Sequence, residues 1–468
     1  MAMKYVSTRG GVPAIEFQDA VLMGLADDGG LLIPQSIPDV RARMDAWRTL
    51  SYAELAMEVL GLFVSDIPRG DLQSLIRRSY AESFPPEVAP TVKVGPVHVL
   101  ELWHGPTLAF KDVALQLLGN LFEYILERRG GRLNILGATS GDTGSAAIYG
   151  VRGRKGIHIF MMHPHGRVSP IQQRQMTTVL DANVHNIAVD GSFDDCQKIM
   201  KTLAGELEFK RRYSLGAVNS VNWARVLAQI VYYFKTVFDV QRTTGATGVR
   251  VSVPTGNFGD VLAGWYAMRM GAPISQLILA TNENDILARF FATGEYSLGT
   301  VHQTLSPSMD IQVASNFERY LFHLMGGDSA ALNKALADFI RTGALRVEKK
   351  PSGAVDEQFA AGAAGREDVL ATIREYHGKY AYLLDPHTAV GVAVAQRVGL
   401  VGDPVVCLAT AHPAKFPEAI RLATGKDLAH HPDIDSLMSL PTRCRVAPND
   451  PALVRQIVSD TLAGLGEG

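Results

Sequence analysis

From about residue 97 onward the chain repeats one pattern: a short apolar run, a glycine-bearing turn, then a helical segment. That alternation is the signature of a parallel sheet, because parallel strands must be joined by a crossover, usually a helix. Val97 to Leu102, Leu133 to Leu136, Ile157 to Met162 and Val184 to Val189 are predicted strands. Val113 to Arg129 carries Leu117, Leu118, Leu121, Phe122 and Ile125 at helical spacing and stops at Gly130 and Gly131, where glycine accepts the left-handed cap conformation. Ser145 to Val151 and Phe193 to Ala204 are the next helices. A second series opens where Val249, Val251 and Val253 lead into a glycine loop and a helix from Val261 to Met270. Ile274 to Ala280 and Val405 to Leu408 are further strands.

The segment before this series has a different texture. Ser51 with Glu54 makes a capping box ahead of Leu55, Val59 and Leu60, and Asp71 heads a second amphipathic stretch through Phe84. Pro85, Pro86, Pro90 and Pro96 then interrupt helix formation, which places a boundary near residue 95. The expected fold class is α/β: two open, mainly parallel sheets after a mostly helical N-terminal segment. The expected division is 1–95, 96–215 and 216–468, with a largely helical insertion at about 283–380. Pro451 to Leu465 is expected to cap the C-terminal end as a helix.

Composition narrows the function. With 45 Lys plus Arg against 47 Asp plus Glu, the 468-residue chain carries a formal charge of −2, so no global field draws it to nucleic acid or acidic lipid. Cys196, Cys407 and Cys444 are odd in number, far apart and in no CxxC arrangement, as expected of buried thiols in a reducing compartment. Met1 to Gly11 is polar, and no run approaches the roughly 18 apolar residues of a membrane helix. A cytoplasmic protein is expected, without nucleic-acid or membrane partners. His163 with His165, and His430 with His431, lack carboxylate or cysteine partners at ligand spacing, so no metal is expected. Asp385 to Thr388 reads as a strand-to-helix turn capped by Thr388.

Three loops carry chemistry. His104 to Asp112 runs straight into the apolar helix and puts Lys111 in its first turn, against the positive end of the helix dipole. That field, with Phe110 and Val113 beside it, lowers the lysine pKa and favours the free amine that Schiff-base chemistry needs. A solvated lysine whose stem lies on the surface explains the spacing as well. Thr139 to Gly144 follows a strand and precedes a helix, an arrangement that aims backbone N–H groups at an anion, with Ser140 and Thr143 as hydroxyl donors and Asp142 as a cap or a contact to another part of a ligand. A tight turn with a capping Asp accounts for it equally. Thr255 to Asp260 repeats the arrangement with two glycines, yet has neither a Walker lysine nor the GxGxxG spacing. One lysine poised for an aldehyde and one compact phosphate cup together match pyridoxal phosphate.

HGPTLAFKD at 104–112, ATSGDTGSAA at 138–147, PTGNFGD at 254–260, SPSMDIQVASNFER at 306–319 and TAHPAKFPEA at 410–419 resemble the longer-form threonine synthases, in the fold group of pyridoxal-phosphate enzymes typified by the tryptophan synthase β chain. YVSTRGG at 5–11 and GLADDGGLLIP at 24–34 are similar to that family's opening segment, so the match runs from residue 5 to about 420. The resemblance implies a family N-terminal segment at 1–95, a smaller cofactor and substrate domain at 96–215 and a larger phosphate-binding domain at 216–468. It implies Lys111 as the Schiff-base lysine and Gly256, Asn257, Phe258 and Gly259 as the phosphate cup. Asp142 stands where relatives commonly carry Asn near the pyridine hydroxyl, Thr410 falls near the ring nitrogen, and Asp260 also replaces a common Asn.

The resemblance further implies O-phospho-L-homoserine as substrate and L-threonine with phosphate as products. Asn219 and Arg225 match the substrate-phosphate segment, and Thr139, Ser140 and Thr143 lie on the loop that would face it. Lys415 is either a further substrate cation or a surface charge. A dehydratase has a related fold but would not require Arg225; a phospholyase would release 2-oxobutyrate from the same substrate; a noncatalytic relative would have kept only the fold. A monomer or homodimer is expected.

Overall fold

The computed structural model describes residues 2–216 and 218–465. In chain order its strands are β1 (Tyr5–Ser7), β2 (Leu32–Pro34), β3 (Thr91–Val94), β4 (Val97–Glu101), β5 (Leu133–Ala138), β6 (Ile157–Pro164), β7 (Val184–Asp190), β8 (Leu215–Gly216), β9 (Val249–Pro254), β10 (Ile274–Thr281), β11 (Glu295–Ser297), β12 (Ala344–Arg346), β13 (Phe359–Ala363), β14 (Val405–Ala409) and β15 (Arg445–Pro448). Two open sheets dominate, in the orders β13-β10-β9-β14-β4-β3 and β15-β7-β6-β5-β8. The second is parallel throughout, and the first is parallel apart from β3, which runs against β4. All five residues of β4 and of β14 are buried, as befits strands covered on both faces.

The helix Lys111–Arg129 links β4 of the six-stranded sheet to β5 of the five-stranded one. It packs on the helices Arg69–Tyr80, Asp142–Val151 and Trp223–Thr244, and every residue from Lys111 to Glu123 is buried, polar ones included. Burying each of its leucines contributes about 1.5–3 kcal/mol. Its crossing with Asp142–Val151 is a backbone contact. A Cβ on Gly119 would stand 1.9 Å from the Gly150 carbonyl oxygen, and one on Gly150 would stand 2.6 Å from that of Leu115. Two glycines therefore set the distance between the helix that begins at Lys111 and the one that begins at Asp142. The helix ends at Gly130 with φ 61, the left-handed cap expected there.

The Ser51–Glu54 capping box is present, and the C-terminal helix spans Pro451–Gly464. Other expectations are corrected. β4, expected to open the smaller unit, pairs instead with β14 in the six-stranded sheet, through His98 with Val406 to Glu101 with Ala409. β13 lies inside the stretch expected to be a helical insertion, yet adds an edge strand beside β10; its sequence, Phe-Ala-Ala-Gly-Ala, has almost no strand propensity of its own. β15 and the C-terminal helix join the five-stranded sheet, β15 on β7 and the helix against Phe193–Gly205, although residues 216–468 were assigned together. The N-terminal segment adds an antiparallel pair, β1 with β2, to its helices. Cys196 and Cys407 are buried, but Cys444 is only half-buried.

Candidate active site

Four loops leave the carboxyl ends of four parallel strands and meet between the two sheets, the position where open α/β sheets bind ligands. The loop after β4 carries Lys111, the loop after β5 carries Asp142, the loop after β9 carries Gly256 to Gly259, and the loop after β14 carries Thr410 and Lys415. Backbone bonds tie the first to the last: Phe110 N–H donates to the Thr410 carbonyl at 2.8 Å and His412 N–H to that of Leu108 at 3.0 Å. Thr410 is itself buried.

Lys111 is the first residue of its helix and is 7% exposed. Its Nζ lies 5.0 Å from the centre of the Phe110 ring and 3.7 Å from Asp142 Oδ2. Burial pushes its pKa down; Asp142 opposes that, while Lys415 and Arg225 reinforce it. The free amine expected from the helix dipole is thus supported mainly by exclusion of water. Beside it, Asp112 accepts from the Thr107 N–H at 2.8 Å and the Thr107 hydroxyl at 2.7 Å, and burial pushes its pKa up to about 6.

Asp142 opens its own helix, and its Oδ1 accepts from Lys415 Nζ at 3.0 Å and Gln172 Nε2 at 2.9 Å. Burial alone would raise its pKa, but Lys415, Lys111 and then His387 overrule this and hold it well below the usual carboxylate range. Thr139, expected to face substrate, is instead committed to the shape of its loop. Its hydroxyl accepts from the N–H groups of Gly141 at 3.0 Å and Gly144 at 2.9 Å and donates to the Gly141 carbonyl. Ser140 is exposed and Thr143 half-buried on the same loop.

The cup after β9 is built by close packing. A Cβ on Gly256 would meet the Ser308 carbonyl oxygen at 2.5 Å and Met309 Cα at 3.2 Å. Phe258 has φ 65, a left-handed conformation that costs a non-glycine residue about 1–3 kcal/mol. It is held there by a buried ring packed on Phe317 at 5.2 Å and Tyr320 at 5.4 Å. The result starts the helix Gly259–Met270 with the N–H groups of Gly256, Asn257, Phe258 and Gly259 bonded to no other described group. A row of free donors at a helix N-terminus, with no room for a side chain at Gly256, fits one phosphate. Together with the buried amine of Lys111, these residues fit pyridoxal phosphate. Gly256→Ala is expected to displace the Ser308 turn at about 1–3 kcal/mol, and so to weaken cofactor affinity about tenfold or more. An absorbance titration of the cofactor-free protein checks this; unchanged affinity would mean that Gly256 does not shape the cup.

Asp260, which replaces a common Asn beside the cup, turns its carboxyl toward two tyrosines. Its Oδ1 accepts from the Tyr232 hydroxyl at 2.6 Å and the Tyr233 hydroxyl at 2.8 Å, and its Oδ2 is buried without a partner. Burial pushes its pKa up to about 6 despite the two hydroxyls. A carboxyl whose folded pKa is raised contributes its stability below the unfolded pKa and loses it as pH rises through about 6. The charged form then costs on the order of 3 kcal/mol at neutral pH. Asp260→Asn, which keeps an acceptor for both tyrosines, is expected to unfold at higher urea than the parent at mildly alkaline pH, with the gain shrinking on acidification below about 6. A gain independent of pH would contradict this.

Arg225 lies in the first turn of the helix Trp223–Thr244 and is buried. Its guanidinium donates to the Asn219 carbonyl at 2.8 Å and meets no carboxylate among the described residues; burial pushes its pKa down to about 10. Asn219 contributes that carbonyl, while its side chain accepts from the Val221 N–H.

Of the two readings of Lys415 the structure removes one, and several further residues were not singled out from the sequence. Lys415 is 1% exposed and donates to the Thr107 carbonyl at 2.7 Å, so it is no surface charge. Asn316 joins the cup to the Arg225 segment: its N–H donates to Asn257 O at 3.0 Å and its Nδ2 to Ser220 O at 3.0 Å. Arg319, fully buried, donates to Asn316 Oδ1 and to the carbonyls of Val221 and Leu32. Asp385, not Thr388, caps the helix Pro386–Val398, and it holds His387 Nδ1 at 3.0 Å. His387 Nε2 then accepts from the Ser308 N–H at 3.3 Å, behind the turn that abuts Gly256. Among the described residues no group of three or more His, Cys, Asp or Glu is placed to hold a metal ion, and no helix is long and apolar enough to cross a membrane.

Comparison with known proteins shows the family. Residues 4–80 match the family model "Threonine synthase N terminus", 86–411 match "Pyridoxal-phosphate dependent enzyme" and 388–458 match "Threonine synthase, C-terminal". A threonine synthase of Pseudomonas aeruginosa is 47% identical over 462 residues, covering 98% of both chains. One of Schizosaccharomyces pombe is 46% identical over 459 residues, covering 90% of this chain and 89% of that one. The crystal structure of pyridoxal-phosphate-bound threonine synthase from Brucella melitensis superposes with a TM-score of 0.94 at 46% identity, covering 98% of this chain and 99% of that one. The chain belongs to the threonine synthase family of pyridoxal-phosphate-dependent lyases.

Proposed function

We propose that the chain converts O-phospho-L-homoserine and water into L-threonine and phosphate, in the cytoplasm, where its three free thiols would stay reduced. One observation carries the choice of substrate: Arg225 is a buried guanidinium with no carboxylate partner among the described residues, and its charge acts on Lys111. A second anionic group, distinct from the one the Gly256 to Gly259 cup fits, supplies what such a cation needs.

Lys111 would hold the cofactor, whose ring withdraws electrons from the substrate's Cα and Cβ. Its free amine is the base for the Cα proton and then for a Cβ proton. Arg225, with the Thr143 hydroxyl and Asn219 on the adjoining segment, would hold the γ-phosphate as its bond to Cγ breaks, gaining strength as charge develops on the leaving oxygen. A proton returned to Cγ makes the methyl group, water adds at Cβ, and Cα regains its proton, which balances the reaction. Arg225→Ala is expected to reduce kcat/KM for O-phosphohomoserine by about 100-fold, the loss of a charge-assisted contact of roughly 1.5–3 kcal/mol or more. Cofactor affinity should be unchanged. Equal loss of cofactor and substrate affinity would remove Arg225 from the substrate's phosphate.

A further inference from the structure

Asp142 faces two lysines and bonds to only one of them. Lys415 Nζ lies 3.0 Å from Oδ1, while Lys111 Nζ stands 3.7 Å from Oδ2, beyond hydrogen-bond reach. The Lys415 side chain has no exposure at all, so water does not disperse its charge. Its amine also donates to the Thr107 carbonyl at 2.7 Å, and Gln172 Nε2, from the helix Pro170–Thr177, donates to the same Asp142 oxygen at 2.9 Å. Such a group is built into the protein and does not reach for substrate.

The other charged groups around the pair do not take over its role. Asp112, next in the chain to Lys111, has both oxygens turned to Thr107. Arg225 brings only more positive charge toward Lys111. His387 faces Asp142 from the helix Pro386–Val398, but its Nδ1 is given to Asp385 and its Nε2 accepts from Ser308. Two lysines share one carboxylate with little water around them; Lys415 holds the nearer oxygen at 3.0 Å, and Lys111, at 3.7 Å, is left the weaker pairing, so its neutral form is the more favoured of the two.

We propose that Lys415 is the standing counter-ion of Asp142, and that by occupying this carboxylate it keeps Lys111 a free amine. Lys415 is a positioning residue, acting on Lys111 through Asp142. The proposal rests on Lys111 being the amine that carries the chemistry, as argued above. Without Lys415, the Asp142 carboxylate would turn to Lys111, pair with it and hold it as an ammonium ion, which neither attacks an aldehyde nor accepts a proton.

The test uses the cofactor-free full-length protein and no substrate, so it is independent of the product chemistry. Acetic anhydride labels unprotonated amines; the labelled fraction of the Lys111 peptide, followed by mass spectrometry across the neutral and alkaline range, gives a midpoint. Lys415→Met is expected to raise that midpoint by about one pH unit, a roughly tenfold loss of labelling at neutral pH. Lys415→Arg, which keeps the cation, should stay near the parent. In the Asp142→Asn background the same Lys415→Met change should move the midpoint much less, because the effect runs through the carboxylate. Lys415→Gln retains a donor for the Thr107 carbonyl and serves if Lys415→Met does not fold. No shift in a folded variant, or an equal shift with and without the Asp142 charge, would overturn the proposal.

Discussion

Lys111→Ala is expected to lose about 10⁴-fold or more in kcat, the upper end of what a positioned acid–base group supplies, and to leave a cofactor that borohydride no longer fixes to the chain. Both losses follow from one geometric fact: among the described residues no second amine stands ready to replace it. Lys415, the nearest candidate, gives its Nζ to Thr107 O and to Asp142 Oδ1 and has no exposure. Arg225, the other buried cation nearby, is a guanidinium and remains protonated at neutral pH, with a pKa of about 10. Peptide mapping after borohydride reduction checks the attachment point. Cofactor recovered on a peptide containing Lys415, or turnover within tenfold of the parent, would contradict the assignment of Lys111.

Arg319→Met is expected to have the largest effect on folding. The guanidinium satisfies three buried acceptors at once: the Leu32 carbonyl at the start of β2, the Val221 carbonyl just ahead of the Arg225 helix, and Asn316 Oδ1. Leaving a buried acceptor unpaired costs about 1–3 kcal/mol, so the variant, which strands three of them, should lose roughly 3–5 kcal/mol. Asn316 also holds Asn257 O and Ser220 O, so cofactor and substrate affinity should weaken together, unlike the split expected for Arg225→Ala. Urea unfolding and cofactor titration on the same preparation measure both. A stable variant with a normal cup would mean that the N-terminal segment does not brace the site through Arg319.

These two residues also mark where the sequence was legible. Lys111 could be read because its signal is local: a lysine opening a continuous apolar helix after a strand is a conflict visible within ten residues. The cup after β9 could be read for the same reason, two glycines between a strand and a helix. Arg319, Asn316 and Lys415 act across long separations, and only the meeting of the loops after β4, β5 and β14 makes a buried ion pair of Lys415 and Asp142. The hydrogen bonds of Asp260 could not be read because its partners, Tyr232 and Tyr233, sit on a different helix. β13 was missed because an Ala- and Gly-rich strand is specified by its place beside β10 and not by its own side chains. β4 was placed in the wrong sheet because alternation reveals that a strand exists, not which neighbour it chooses.

The most direct test of the whole account is product analysis. Purified protein with pyridoxal phosphate is incubated with O-phospho-L-homoserine, and free phosphate, threonine and 2-oxobutyrate are measured together. Phosphate and threonine in equal amounts, abolished in Lys111→Ala, is the predicted result. Phosphate with 2-oxobutyrate in place of threonine, or no phosphate release at all, would contradict it.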